Sequence, residues 1–95
     1  MIGRLFKTAS GFYSYEISEA EQDYIYVLAD ILVEQFGGSM VTPPIVGLDS
    51  IFWTFSNEKA KLTVGWDIWS GAFIMSHCSI GDEFITRVMK HYDNG

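Results

Sequence analysis

The sequence predicts an α+β fold: a two-layer sandwich in which an antiparallel sheet of 4–5 strands carries two helices on one face, in the order β(β)-α-β-β-β-α. Three observations predict it. Residues 18–36 and 79–92 repeat apolar side chains at helical spacing. Residues 51–78 between them hold runs of strand-forming residues, with a period of two clearest from Lys61 to Trp69, joined by turns too short for crossovers. Hydrophobic residues make up 48% of the chain and charged residues 19%, a balance that folds rather than stays disordered. At 95 residues the chain is one domain, residues 1–95.

The first segment, "RLFKTASGFYSYEI", contains two extended runs about an Ala9-Ser10-Gly11 turn. Phe12, Tyr13, Tyr15 and Ile17 favour a strand; whether residues 2–8 add another stays open at this level. Ser18 then opens a helix. Ser18-Glu19-Ala20-Glu21 has the form of a capping box, in which the hydroxyl and Glu21 satisfy each other's free amides. Gly37-Gly38 ends that helix, and Ala20, Tyr24, Val27, Leu28, Ile31 and Leu32 share the face expected on the sheet. Residues 37–49 read as a loop stiffened by Pro43-Pro44, with its apolar residues packing down in part.

The strands "SIFWTFS", "AKLTVGWDIW" and "AFIMSHC" follow as a meander, turning at Ser56-Asn57-Glu58-Lys59 and at Ser70-Gly71. Trp66 and Ile68 are expected on its inner face. Ser79 starts the last helix, with Asp82 in its first turn and Ile80, Phe84, Ile85, Val88, Met89 and Tyr92 toward the core. Glu83 and Arg87 stand in the favourable order for an ion pair, and Asp93-Asn94-Gly95 is expected to fray.

Charge is where the sequence points to function. The net charge is −6, and from Glu16 to Asp49 there are seven acids and neither Lys nor Arg. Such a surface repels phosphate backbones and anionic membranes and attracts a basic protein partner. On a helix running from Ser18, Glu19, Asp23, Asp30 and Glu34 fall within a sector of about 60°, with Tyr26 at its edge. Like charges four residues apart cost about 0.2–0.5 kcal/mol each in an isolated helix. The stripe reads either as a solvated face or as a docking surface for cations with Tyr26 as aromatic anchor. Trp69, near a hairpin tip, is a second anchor candidate, or else a cover for Phe52 or Ile74.

Enzyme chemistry finds little footing. His77 and Cys78 are consecutive strand residues and point to opposite faces, so they make a poor nucleophile–base pair; only His91 approaching Cys78 in an open cleft would supply one. The histidines and Cys78 match no zinc spacing, and Gly37-Gly38 follows a helix where a phosphate cradle would precede one. No metal, cofactor or catalytic residue is expected. One Cys, with no secretory or membrane-spanning stretch, points to the cytoplasm.

In size, acidity, the Glu19-Asp23-Asp30-Glu34 stripe and aromatic-rich strands, the chain resembles the small single-domain immunity proteins of bacteria, including those paired with contact-dependent-inhibition toxins. The resemblance implies a non-catalytic inhibitor of a basic, nuclease-like toxin, contacting it through Glu19, Asp23, Tyr26, Asp30, Glu34 and Trp69. The alternative from a different class is a small-ligand or regulatory domain with an aromatic pocket around Tyr15, Trp53 and Trp66.

Overall fold

The computed structural model describes residues 3–57 and 60–94, the last two by backbone only. In chain order the elements are β1 (Arg4–Lys7), β2 (Tyr13–Ile17), α1 (Tyr24–Phe36), β3 (Ser39–Met40), β4 (Ile45–Val46), β5 (Ser50–Asn57), β6 (Ala60–Asp67), β7 (Gly71–Ser76) and α2 (Ser79–Asn94). The sheet is antiparallel, in the order β1-β2-β7-β6-β5-β3, and β4 also pairs with β5. The α+β class with two helices is the one expected. The sheet of 7 strands is larger than the 4–5 predicted.

Two segments settle the strand count, one that the expectation left open and one that it took for a loop. The first is the amino-terminal run, which pairs fully with β2, from Arg4↔Glu16 to Lys7↔Tyr13. Gly11 makes that hairpin possible: its φ of +88° is open to glycine at no steric cost, and its amide donates to the Thr8 carbonyl at 2.9 Å. Ile2, within the undecided residues 2–8, lies outside the described residues, as do Glu58 and Lys59 of the β5–β6 turn and Gly95 of the tail. Asp93 and Asn94 continue α2 rather than fraying.

The second segment is the supposed loop. β3 pairs as Ser39↔Ser56 and Met40↔Phe55, then β4 as Ile45↔Phe52 and Val46↔Ile51. The register therefore slips by two residues across Pro43-Pro44. Prolines survive here because an edge strand needs only half its amides for the sheet. The Val41 amide still reaches the Thr54 carbonyl at 2.9 Å, and the Thr54 amide donates to Thr42 Oγ1 at 3.3 Å.

One continuous core fills the space between the sheet and both helices. Tyr15, Ile17, Ile51, Phe55, Leu62, Val64, Ala72 and Ile74 bury one sheet face against Ile25, Leu28 and Leu32 of α1 and Phe84, Ile85 and Val88 of α2. Each large apolar side chain so buried contributes about 1.5–3 kcal/mol. On the opposite face Phe73 lies across Gly65, where an added Cβ would stand 2.5 Å from the ring's Cζ.

Helix α1 begins at Tyr24, not at Ser18, and Asp23 at its N-cap makes no side-chain capping bond. The capping box does not form, for a tertiary reason. A helix from Ser18 would give the Ala20 carbonyl to the Tyr24 amide. Instead Trp66 Nε1 donates to that carbonyl at 3.0 Å, and the Tyr24 amide turns to Glu21 O at 2.9 Å. The face of α1 that is buried also differs from the one expected. Ile25, Leu28, Ala29 and Leu32 are buried, whereas Val27, expected inward, is 49% exposed.

At the other helix, the Asp82 amide donates to Cys78 O, and the Asp82 carboxylate accepts from the Tyr13 amide at 2.8 Å, tying α2 to β2. Ile80 is exposed rather than in the core. Arg87 sits over the Phe84 ring, 5.4 Å from its centroid, instead of pairing with Glu83.

Candidate functional site

Among the described residues the one ion pair is Arg4–Glu16, at 3.5 Å. Glu19, Asp23, Asp30 and Glu34 are all exposed and take no part in it. The tertiary structure nevertheless divides the stripe. Glu19 lies ahead of α1 and is not a helix residue, so Glu19 and Asp23 are not one helical turn apart. Asp23, Asp30 and Glu34 fall within about 40° of one another at 100° per residue, on the side away from the buried Leu28, Ala29 and Leu32.

Glu19, Glu21 and Asp23 instead line an open groove of ≈ 440 Å³ with Tyr24 and Val27. The lead-in turn that shapes it is held by the Trp66–Ala20 bond and by the Ala20 amide donating to Ile17 O at 3.1 Å. Three carboxylates on an open groove, with the aromatic edge of Tyr24 beside them, fit guanidinium or ammonium groups. No group of three or more His, Cys, Asp or Glu among the described residues is placed to hold a metal ion.

Tyr26 occupies a different flank of α1. It is 45% exposed, and its ring meets Trp53 of β5 edge-on at 5.6 Å between centroids. One ring face is thus fixed by packing and the remainder is open, which suits an anchor of low conformational entropy. Trp69 does not cover Phe52 or Ile74. It stands 79% exposed in the β6–β7 turn, where Asp67 Oδ1 accepts from the Trp69 and Ser70 amides at 2.9 and 2.6 Å. Ile68, expected on the inner face, belongs to this turn and is 53% exposed. A second groove of ≈ 220 Å³ joins Trp69 to Gly3, Arg4, Glu16 and Ser18.

Ile45, Val46 and Leu48 were expected to pack down in part, yet they are 68%, 62% and 102% exposed. Sequence reasoning missed them as surface residues, because apolar side chains beside prolines look like a loop folded onto a core. No local signal marks them: their exposure follows from pairing on the outer side of β5, whose other side is taken by β6.

The residues weighed for catalysis are occupied structurally. Ser76 is fully buried, and its Oγ donates to Cys78 O at 2.7 Å. His77 Nε2 bonds to Thr63 Oγ1 at 2.7 Å. His91 packs edge-on to Phe36 and Tyr92 with centroids 5.7 Å apart in each case, and Cys78 Sγ accepts from the Gly81 amide at 3.4 Å.

Of the residues of the alternative pocket, Tyr15 belongs to the core, and Trp53 and Trp66 pack against it. Tyr15 is 1% exposed and faces Tyr92 at 5.9 Å, and the three line neither groove described above. Tyr92 shares a 2.8 Å hydrogen bond with the Tyr24 hydroxyl. Burial, and then that bond, push the Tyr92 phenol well above its ordinary range. No helix among the described residues is long and apolar enough to cross a membrane. No family model, curated protein or solved structure matches the chain.

Proposed function

We propose that this chain is a non-catalytic binding protein that neutralises a basic protein partner, and that the partner is a nuclease-like toxin for which it serves as immunity protein. The observation that carries the reading is the set of exposed carboxylates, Glu19, Asp23, Asp30 and Glu34, with no ion pair to any described cation. An uncompensated acidic surface of this kind steers a cationic partner and raises its encounter rate. Tyr26 and Trp69 supply partly fixed aromatic anchors of the type that dominates interface energetics. The carboxylates then occupy the Lys and Arg groups with which a nuclease would hold phosphate.

The candidate partner is the product of the adjacent reading frame. Its nuclease activity and its association rate are to be measured with the wild-type chain and with Asp30→Lys/Glu34→Lys. Inhibition is expected, with an association rate that falls steeply between about 0.05 and 0.5 M salt. The double variant should associate about tenfold more slowly while keeping its circular dichroism spectrum. Unchanged affinity in the double variant removes the acidic face from the interface.

A further inference from the structure

The segment that lacks Lys and Arg, Glu16 to Asp49, builds more than the acidic side of α1; it also builds the edge of the sheet. These two parts meet on one flank. Tyr26 of α1 rests on Trp53 of β5, and the β5 residue next to Trp53 is held by the edge segment through the bond from the Val41 amide to Thr54 O. Val41, Ile45, Val46 and Leu48 are all more than half exposed along this edge.

The edge also offers backbone. The Gly47 amide donates inward to Ser50 O at 2.7 Å, and β4 is antiparallel to β5. Inward and outward bonding alternate along such a strand, so the amide and carbonyl of Val46 face away from the sheet. Pro43 and Pro44 deny donors to the stretch before it and confine pairing to the end of β4.

We infer that this flank is the docking site for an extended segment of the basic partner, which adds a strand at Val46, lays apolar side chains on Ile45 and Leu48, and presents cations to Asp30 above the edge. The inference rests on the reading of a basic partner and deepens it. Charge complementarity selects that occupant: an apolar edge built by a segment with seven acids and neither Lys nor Arg favours a strand alternating Lys or Arg with β-branched residues. A second copy of this chain would bring the same negative charge against itself.

The probe is an acetylated, amidated Lys-Val-Lys-Val-Lys-Val-Lys peptide, with oligolysine of equal length as the charge-only control. Binding to the isotopically labelled full chain is followed by amide chemical shifts. The expected result is that the alternating peptide perturbs Ile45 to Leu48 and the Tyr26 flank. Val46→Pro and, independently, Ile45→Ser/Leu48→Ser should weaken it about tenfold, the cost of one backbone bond or of the apolar contacts. Trp69→Ser should not alter it. Because Ile45 and Leu48 are so exposed, the double serine variant keeps the fold even where the proline does not.

Shifts confined to the Glu19–Asp23 groove, or affinity unchanged by the serine pair, overturn the edge as docking site while leaving the basic-partner reading standing. Failure of both peptides to bind at low salt overturns both. Concentration-dependent dimerisation abolished by Ile45→Ser/Leu48→Ser assigns the edge to a second copy instead and overturns the inference.

Discussion

Replacing Asp30 by Lys separates an acidic face kept for binding from one that is merely tolerated. Asp30 and Glu34 stand one helical turn apart on the exposed side of α1, and neither has a cationic partner among the described residues. As they stand they repel, at a cost of about 0.2–0.5 kcal/mol. Asp30→Lys removes that repulsion and adds an attraction to Glu34. The added term lies at the low end of the same range, because the cation then precedes the anion. Asp30 is in the middle of the helix, so the dipole adds little, and lysine is the better helix former. The sum is a gain of about 0.5 kcal/mol, which for a domain of this size raises Tm by roughly 2–4 °C. Thermal unfolding followed by circular dichroism should show that rise in dilute buffer. It should shrink near 1 M salt, where the Debye length falls to about 3 Å. A variant that is both more stable and slower to associate with a basic partner would mean that stability is surrendered for binding. A fall in Tm would mean that Asp30 already has a cation within the molecule, and a gain indifferent to salt would assign the effect to helix propensity rather than to charge; either result would refute the reasoning.

Three further outcomes follow from the core and its ties. Tyr92 keeps its proton in the folded state beyond the ordinary phenol range near 10, so the folded state binds a proton that the unfolded chain releases. Stability should therefore be complete below about pH 10 and decline above it; absorbance titration at 295 nm should show Tyr92 ionising only as the protein unfolds, and a Tyr92 that ionises with the exposed phenols in a folded protein would contradict this. Gly65→Val should destabilise by about 1–3 kcal/mol in urea titration, because the new Cβ meets the Phe73 ring at 2.5 Å and the Ile51 carbonyl at 3.0 Å. Asp82→Ala should cost about 1–2 kcal/mol by the same measurement, as it frees the Tyr13 amide bonded at 2.8 Å and removes a favourable charge at the start of α2.

Several of these positions were legible in the chain and several were not, and the difference has a physical basis. The exposure of Tyr26, Asp30 and Glu34 follows from helical spacing, which acts within a few residues and survives a change in where the helix begins. The grouping of Glu19 with them did not survive. It assumed a helix from Ser18, and a tryptophan 46 positions away, hydrogen-bonded to Ala20 O, decided otherwise. For Trp69 the sequence left anchor and cover both open; the turn held by Asp67 decided for exposure, and the position of Arg4 and Glu16 beside it needed β1 and β2 to close the sheet. Ile45 and Val46 are the clearest case. Their sequence context gives only apolar residues after two prolines, and their placement on an outer edge depends on Ile51 and Phe52 already having partners in β6.

By itself the sequence determined the α+β class, the two helices, the central meander and the concentration of acid in one segment, since propensity, periodicity and charge are carried by neighbours along the chain. Tertiary structure alone decided the start of α1, the size of the sheet and which apolar residues stay in water. Those outcomes turn on bonds between distant residues, such as Trp66 to Ala20 and Val41 to Thr54 holding the edge segment on β5, whose energies exceed the local preferences they override.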